Sequence, residues 1–162
     1  MSAEIDRLRH ALASMYTCAD AAERNSADKF LQVEFLYSQE CWDLSIALLK
    51  LPTATSYEHL FCARALHVRL RCSVSKAERK QVQFLSILFV LTSSLPYTTA
   101  RWSHEPSGRT ILTQICSAVA VLVCKMESWE TKMVVKDLAL SFAAANMAML
   151  ETIRVLPVSL VI

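Results

Sequence analysis

The side chains best suited to chemistry in this chain are four histidines, His10, His59, His67 and His104, and six cysteines, Cys18, Cys41, Cys62, Cys72, Cys116 and Cys124. Structural zinc sites bring cysteines together in closely spaced pairs with histidines at a short, regular offset, and no such spacing occurs here. The cysteines read instead as small buried hydrophobes in a reducing compartment. Serine, cysteine and histidine are all present, but none forms a recognisable nucleophilic constellation. Glu40 and Asp43 lie close on one helix, yet the sequence sets no second carboxylate or histidine beside them for acid–base work. Gly108 is the single glycine in 162 residues. Phosphate-cradling loops and nucleophile elbows need several glycines at fixed offsets, because only glycine tolerates the backbone angles those turns impose. The expectation is a protein that is not an enzyme and uses neither cofactor nor metal.

Binding chemistry is better represented. Arg64, His67 and Arg71 recur at spacings of 3 and 4, which aligns them along one face of a helix and makes them the candidate partner-binding residues. The competing readings are a solvated face with no partner and, for His67, a buried hydrogen-bonded imidazole. Arg79 and Lys80, following Lys76, read as a solvated helix start. The net charge of +2 is too small for a general electrostatic footprint on nucleic acid.

The elements that must carry these residues are helices. Ile5, Leu8, Leu12 and Met15 make one apolar stripe on a first helix over residues 3–16. Asp20 with Glu23 has the pattern of a capping box opening a second helix, with Ala27, Phe30, Leu31 and Phe35 inward. Ser38 is the expected cap of a third helix with apolar positions Trp42, Ile46 and Leu49, stopped by Pro52. Thr55 with Glu58 repeats the capping pattern, and the fourth helix runs to about Cys72 with Phe61, Ala65 and Val68 toward the core. Ser75 with Glu78 opens a fifth that ends at Pro96. Residues 97–107 read as a loop, 109–126 as a sixth helix, 129–143 as a seventh, and Asn146 caps a short eighth closed by Pro157. No strand-like alternation of comparable length competes.

Hydrophobic residues make up 54% of the chain, more than a core of this size requires, so apolar surface is left for a partner or for more of the same architecture. The two most apolar stretches, 84–91 and 115–124, fall short of the ~18–20 residues that cross a bilayer and read as buried helices, with no membrane insertion. Met126, Met133, Met147 and Met149 suit irregular gaps in a helical core.

First helices near residues 5, 38, 75 and 129 recur at intervals of about 33, 37 and 54, close to the ~40–47 of HEAT-type repeats, the last lengthened by the loop. The expected fold is all-α, a right-handed α-solenoid of about four HEAT-like helix pairs over residues 3–36, 38–72, 75–126 and 129–156. Terminal repeats normally turn a polar face to water. Residues 156–162 are almost wholly apolar, which suggests an amino-terminal piece of a longer solenoid or a relative that needs a partner.

The run CWDLSIALL at 41–49, followed by FCARALHVRL at 61–70, resembles the amino-terminal repeats of importin-beta superfamily nuclear transport receptors. There a Trp-containing helix precedes one reading roughly F-A-A-x-x-L-x-x-K-[IL]. RTILTQIC at 109–116, continuing through Leu122 to Trp129, is similar to the third-repeat helix of the importin-thirteen and SR-protein transportin branch, and LETIRVLP at 150–157 is similar to that branch's L-x-x-L-x-V-L-P. The resemblance covers most of the chain in the expected order. It implies a scaffold in nucleocytoplasmic transport that shuttles between nucleus and cytoplasm. Its implied partners are the Ran GTPase in its GTP form on the inner helices, protein cargo, and Phe-Gly nucleoporins in outer-helix grooves. On this reading Arg64, His67 and Arg71 face Ran. Trp42 and Trp129 read as packing anchors, or as contacts for a Phe-Gly peptide. A stand-alone helical adaptor that binds another protein or self-associates through the apolar end is the alternative.

Overall fold

The stripe of Ile5, Leu8, Leu12 and Met15 lies on α1, Ser2–Thr17. The computed structural model describes residues 2–72 and 108–124, together with Leu150 and Arg154, and every described element is helical. Leu8 and Leu12 are fully enclosed, while Ile5 and Met15 pack against the core from the flanks of the stripe.

Asp20 opens α2, Ala21–Lys29, in extended conformation, and its carboxylate accepts from the Ala22 N–H at 2.9 Å. Only half of the expected capping box is present. Glu23 does not close back on Asp20; its carboxylate accepts from the Ser14 hydroxyl at 2.7 Å and the Cys18 thiol at 3.2 Å, and so ties α2 to the end of α1. Most of α2 is exposed, with Ala27 its one buried residue.

The helix then widens into a π-helical segment, Phe30–Phe35, marked by the Leu36 N–H bonding the Leu31 carbonyl five residues back at 3.1 Å. One additional residue per turn brings Leu36 beneath Leu31, so that Leu31, Phe35 and Leu36 are all buried instead of one of them rotating out. Ser38 is not the cap of the next helix. Its hydroxyl donates to the Phe35 carbonyl at 2.9 Å and closes this segment instead.

The next helix, α3, is Cys41–Lys50, preceded by Glu40 with no side-chain cap. Its buried face is Cys41, Leu44, Ser45, Leu48 and Leu49, rotated from the expected Trp42, Ile46, Leu49 stripe; Trp42 and Ile46 are half-buried at its edge. Leu51 takes ψ of 118°, the extended conformation that the ring of Pro52 imposes on its predecessor, and the helix ends there as expected.

Thr55 and Glu58 form a complete capping box at the start of α4, Ser56–Cys72. The Thr55 N–H donates to the Glu58 carboxylate at 2.6 Å, and the Glu58 N–H donates to the Thr55 hydroxyl at 3.4 Å. The same carboxylate accepts from Arg9 Nε at 2.8 Å, which staples α4 to α1. Phe61, Cys62, Ala63, Ala65, Leu66 and Leu70 are buried, and Val68 is half-buried against them.

The last described helix, α5, is Gly108–Cys124 and packs most extensively on α4. Ile115, Cys116 and the run Ala118–Val121 are enclosed, in keeping with a helix buried on nearly every side. Thus α1 pairs with α2, α3 with α4, and α4 in turn with α5, around one core that runs from Leu8 to Val121. The expected helices at 75–96, 129–143 and 146–156 and the loop at 97–107 lie outside the described residues, apart from Leu150 and Arg154, both helical and exposed.

Candidate functional site

The face of α4 that the core leaves open is set by helical geometry. With Cys62, Ala65, Leu66 and Leu70 buried, residues a turn apart on the other side come to the surface. Arg64 and Arg71 are exposed there, two turns apart. His67, between them in sequence, is half-buried and its Nδ1 lies 3.1 Å from Oε1 of Gln114 on α5. The three expected residues therefore divide into two exposed cations and one imidazole that joins α4 to α5. Burial lowers the His67 imidazole below its ordinary 6.5; the Gln114 bond opposes that and the nearby Arg71 cation adds to it. Near neutral pH His67 is the uncharged member of the stripe, a positioning residue beside two charges.

The charge balance of these helices is uneven. α4 carries Arg64, Arg69 and Arg71 against one carboxylate, Glu58, and α5 carries only Arg109. Glu58 is 2% exposed and already bonded to Arg9 and Thr55. Burial works to raise its carboxyl, but the Thr55 N–H and the Arg9 guanidinium outweigh it and hold the group below its ordinary range. Its negative charge is spent inside the fold, so it does little to offset the arginines outside.

Arg69 belongs elsewhere. It lies over the Trp42 ring, 5.7 Å from its centroid, and its Nη1 reaches the Tyr37 carbonyl at 3.5 Å. Trp42 is thus a half-buried packing anchor with a cation across its face.

Two residues that the sequence reading did not single out stand at the amino-terminal end of the same α4 face. Tyr57 lies two turns before Arg64, and its ring stacks on Tyr16 of α1 with centroids 5.2 Å apart. Tyr16 is 46% exposed. Burial raises its phenol above the ordinary 10.0, while Arg64 is close enough to act in the opposite direction and Asp28 in the same one. The seven-residue spacing from Tyr57 to Arg64 to Arg71 was a legible signal, but the contact from α1 was not.

Among the described residues no group of three or more His, Cys, Asp and Glu could hold a metal ion, and no helix is long and apolar enough to cross a membrane. Comparisons with protein-family models and with curated proteins return no match.

Proposed function

We propose that this chain is a protein-binding scaffold of the importin-beta type, a right-handed solenoid of about four HEAT-like helix pairs that contributes the Ran-GTP-binding end of a nuclear transport receptor. The motif residues of that resemblance support the reading: Trp42 stands in the first turn of α3, the Phe61 run lies in α4, and the Arg109 run lies in α5, with α3 and α5 each packed on α4. Cargo and Phe-Gly nucleoporins are the further partners of such a scaffold, in the nucleus and the cytoplasm.

The observation that carries the reading is the exposure of Arg64 and Arg71 on a helix whose sole carboxylate is neutralised by Arg9. A small GTPase presents switch loops that are partly acidic. A helical face that exposes two guanidinium groups matches them, and such complementarity acts chiefly on association rate and partner choice. His67 serves this face indirectly by fixing α4 against α5.

The test is charge reversal. Arg64→Glu with Arg71→Glu is expected to weaken capture of GTP-loaded Ran by about tenfold or more, with unchanged far-UV circular dichroism. Unchanged capture removes the assignment. Absence of Ran binding by the wild-type chain together with a stable homo-oligomer supports the adaptor reading in its place.

A further inference from the structure

One ring contact among the described residues joins two phenols. Tyr16, at the carboxy-terminal end of α1, and Tyr57, in the first turn of α4, stack with centroids 5.2 Å apart and 26° between their planes. The two other aromatic contacts join phenylalanines. Tyr16 is 46% exposed and Tyr57 is half-buried, so the pair is packed and yet open to a small molecule from solvent. Tyr37 is more exposed, at 62%, but among the described residues no second phenol meets its ring.

Loss of one electron and the hydroxyl proton turns a tyrosine into a phenoxyl radical, whose unpaired spin is shared between the oxygen and the ring carbons, those ortho to the oxygen included. Two such radicals held face to face overlap through their half-filled π orbitals, and the fold has already brought these rings together. A carbon–carbon bond then forms between one ortho carbon of each ring. The hydrogen on each of those carbons moves to the oxygen of the same ring, which restores both aromatic systems. Two electrons and two protons leave in all. A peroxide takes the electrons: hydrogen peroxide with both protons becomes two waters, and persulfate becomes two sulfate ions while the protons pass to solvent.

A thiolate beside the pair would quench the radicals. Cys18 lies two residues after Tyr16, but its thiol donates to the Glu23 carboxylate at 3.2 Å, and that bond raises the thiol above its ordinary range and keeps it protonated.

We propose that Tyr16 and Tyr57 are a site of oxidative modification, at which a peroxide-class one-electron oxidant couples the two rings to dityrosine and so joins α1 covalently to α4. The bond spans 41 positions of the chain and removes entropy from the unfolded state as a disulfide across that distance does. It reinforces the contact between α1 and α4 that Arg9 and Glu58 also hold. The modification requires no partner, only the packing of these two helices.

The test illuminates the full chain with a ruthenium trisbipyridyl photo-oxidant and persulfate, followed by trypsin digestion and peptide mass mapping. The expected product joins peptides 10–24 and 51–64, weighs two hydrogens less than their sum, and carries dityrosine fluorescence. Its yield per chain is expected to hold on dilution, because the rings meet within one molecule. Tyr16→Phe and Tyr57→Phe each keep a ring in the stack and remove the phenol; with wild-type circular dichroism, each is expected to abolish the product, whereas Tyr37→Phe leaves its yield unchanged. The joined protein is expected to melt about 5–15 °C above an equally treated Tyr16→Phe chain. Intramolecular dityrosine that persists in Tyr16→Phe, coupling of Tyr16 chiefly to a tyrosine other than Tyr57, a yield that falls on dilution, or oxidised tyrosines without joined peptides overturns the site. Joined peptides with equal melting of the two chains overturn the covalent reinforcement of α1 on α4.

Discussion

Replacing Arg9 by Met removes the guanidinium that reaches Glu58 at 2.8 Å while retaining an unbranched apolar stem in its place. The Glu58 side chain, 2% exposed, keeps the Thr55 N–H at 2.6 Å but loses its counter-ion. Removing one partner from a fully buried ion pair costs about 3–5 kcal/mol, because the remaining charge is left without compensation. Arg9 is 34% exposed, which leaves this pair partly solvated, so about 2–3 kcal/mol is the appropriate loss. For a chain of this length that lowers the thermal midpoint by about 4–12 °C near neutral pH.

The pH dependence supplies a sharper signature. In the wild type the Glu58 carboxyl is held below its ordinary 4.5, so the stabilisation is complete above that value and is lost as the pH falls through the lower folded value. In Arg9→Met the burial remains and the guanidinium is gone, so the carboxyl moves up, and protonation relieves the folded state. The deficit of the variant therefore shrinks between pH 7 and pH 4. Thermal melts followed at 222 nm across that range read it directly. A deficit that is the same at both pH values, or a midpoint within about 1 °C of the wild type, would refute the reasoning.

The folded environment resists protonation of His67, so its contribution to stability is present above 6.5 and declines as the pH falls through the lowered folded value. Between pH 7.5 and 5.5 the wild-type thermal midpoint is expected to drop more than that of His67→Phe; parallel curves contradict the burial of the imidazole. Burial also pushes the Cys41 and Cys62 thiols up, and Cys116 is enclosed with them, while Cys72 is exposed. Brief N-ethylmaleimide treatment with peptide mass mapping is expected to label Cys72 and to leave those three unmodified until denaturant is added; early labelling of Cys62 contradicts the packing of α3 on α4.

Where the sequence was legible, the local signal and the tertiary environment agreed. The Leu8 and Leu12 stripe, the stop at Pro52 and the Thr55–Glu58 box each depend on neighbours within a turn or two, and all three are present. Asp20–Glu23 has the same local pattern, but Ser14 and Cys18 are oriented to occupy Glu23, and a competing contact from another helix is invisible to a four-residue motif. The buried face of α3 differs from the expected one because Cys41, Trp42, Leu44, Ile46, Ala47, Leu48 and Leu49 surround most of the helix, so periodicity alone does not choose a side. The π-helical segment accompanies the joint burial of Leu31, Phe35 and Leu36, with Phe35 against Phe61 of α4, a contact that local periodicity does not announce.

The candidate site divided along the same line. Spacing placed Arg64, His67 and Arg71 on α4, and the exposure of both arginines follows from helical phase. The engagement of His67 by Gln114 and the stacking of Tyr16 on Tyr57 join residues 47 and 41 positions apart, and only the packed helices bring them together.

The measurement that bears most directly on the proposed function is a calorimetric titration of the full chain with Ran in each nucleotide state. Binding of the GTP-analogue form at least about tenfold tighter than the GDP form, abolished by Arg64→Glu with Arg71→Glu, is the result the account requires. Equal affinity for the two forms, or heat of binding in neither, contradicts it.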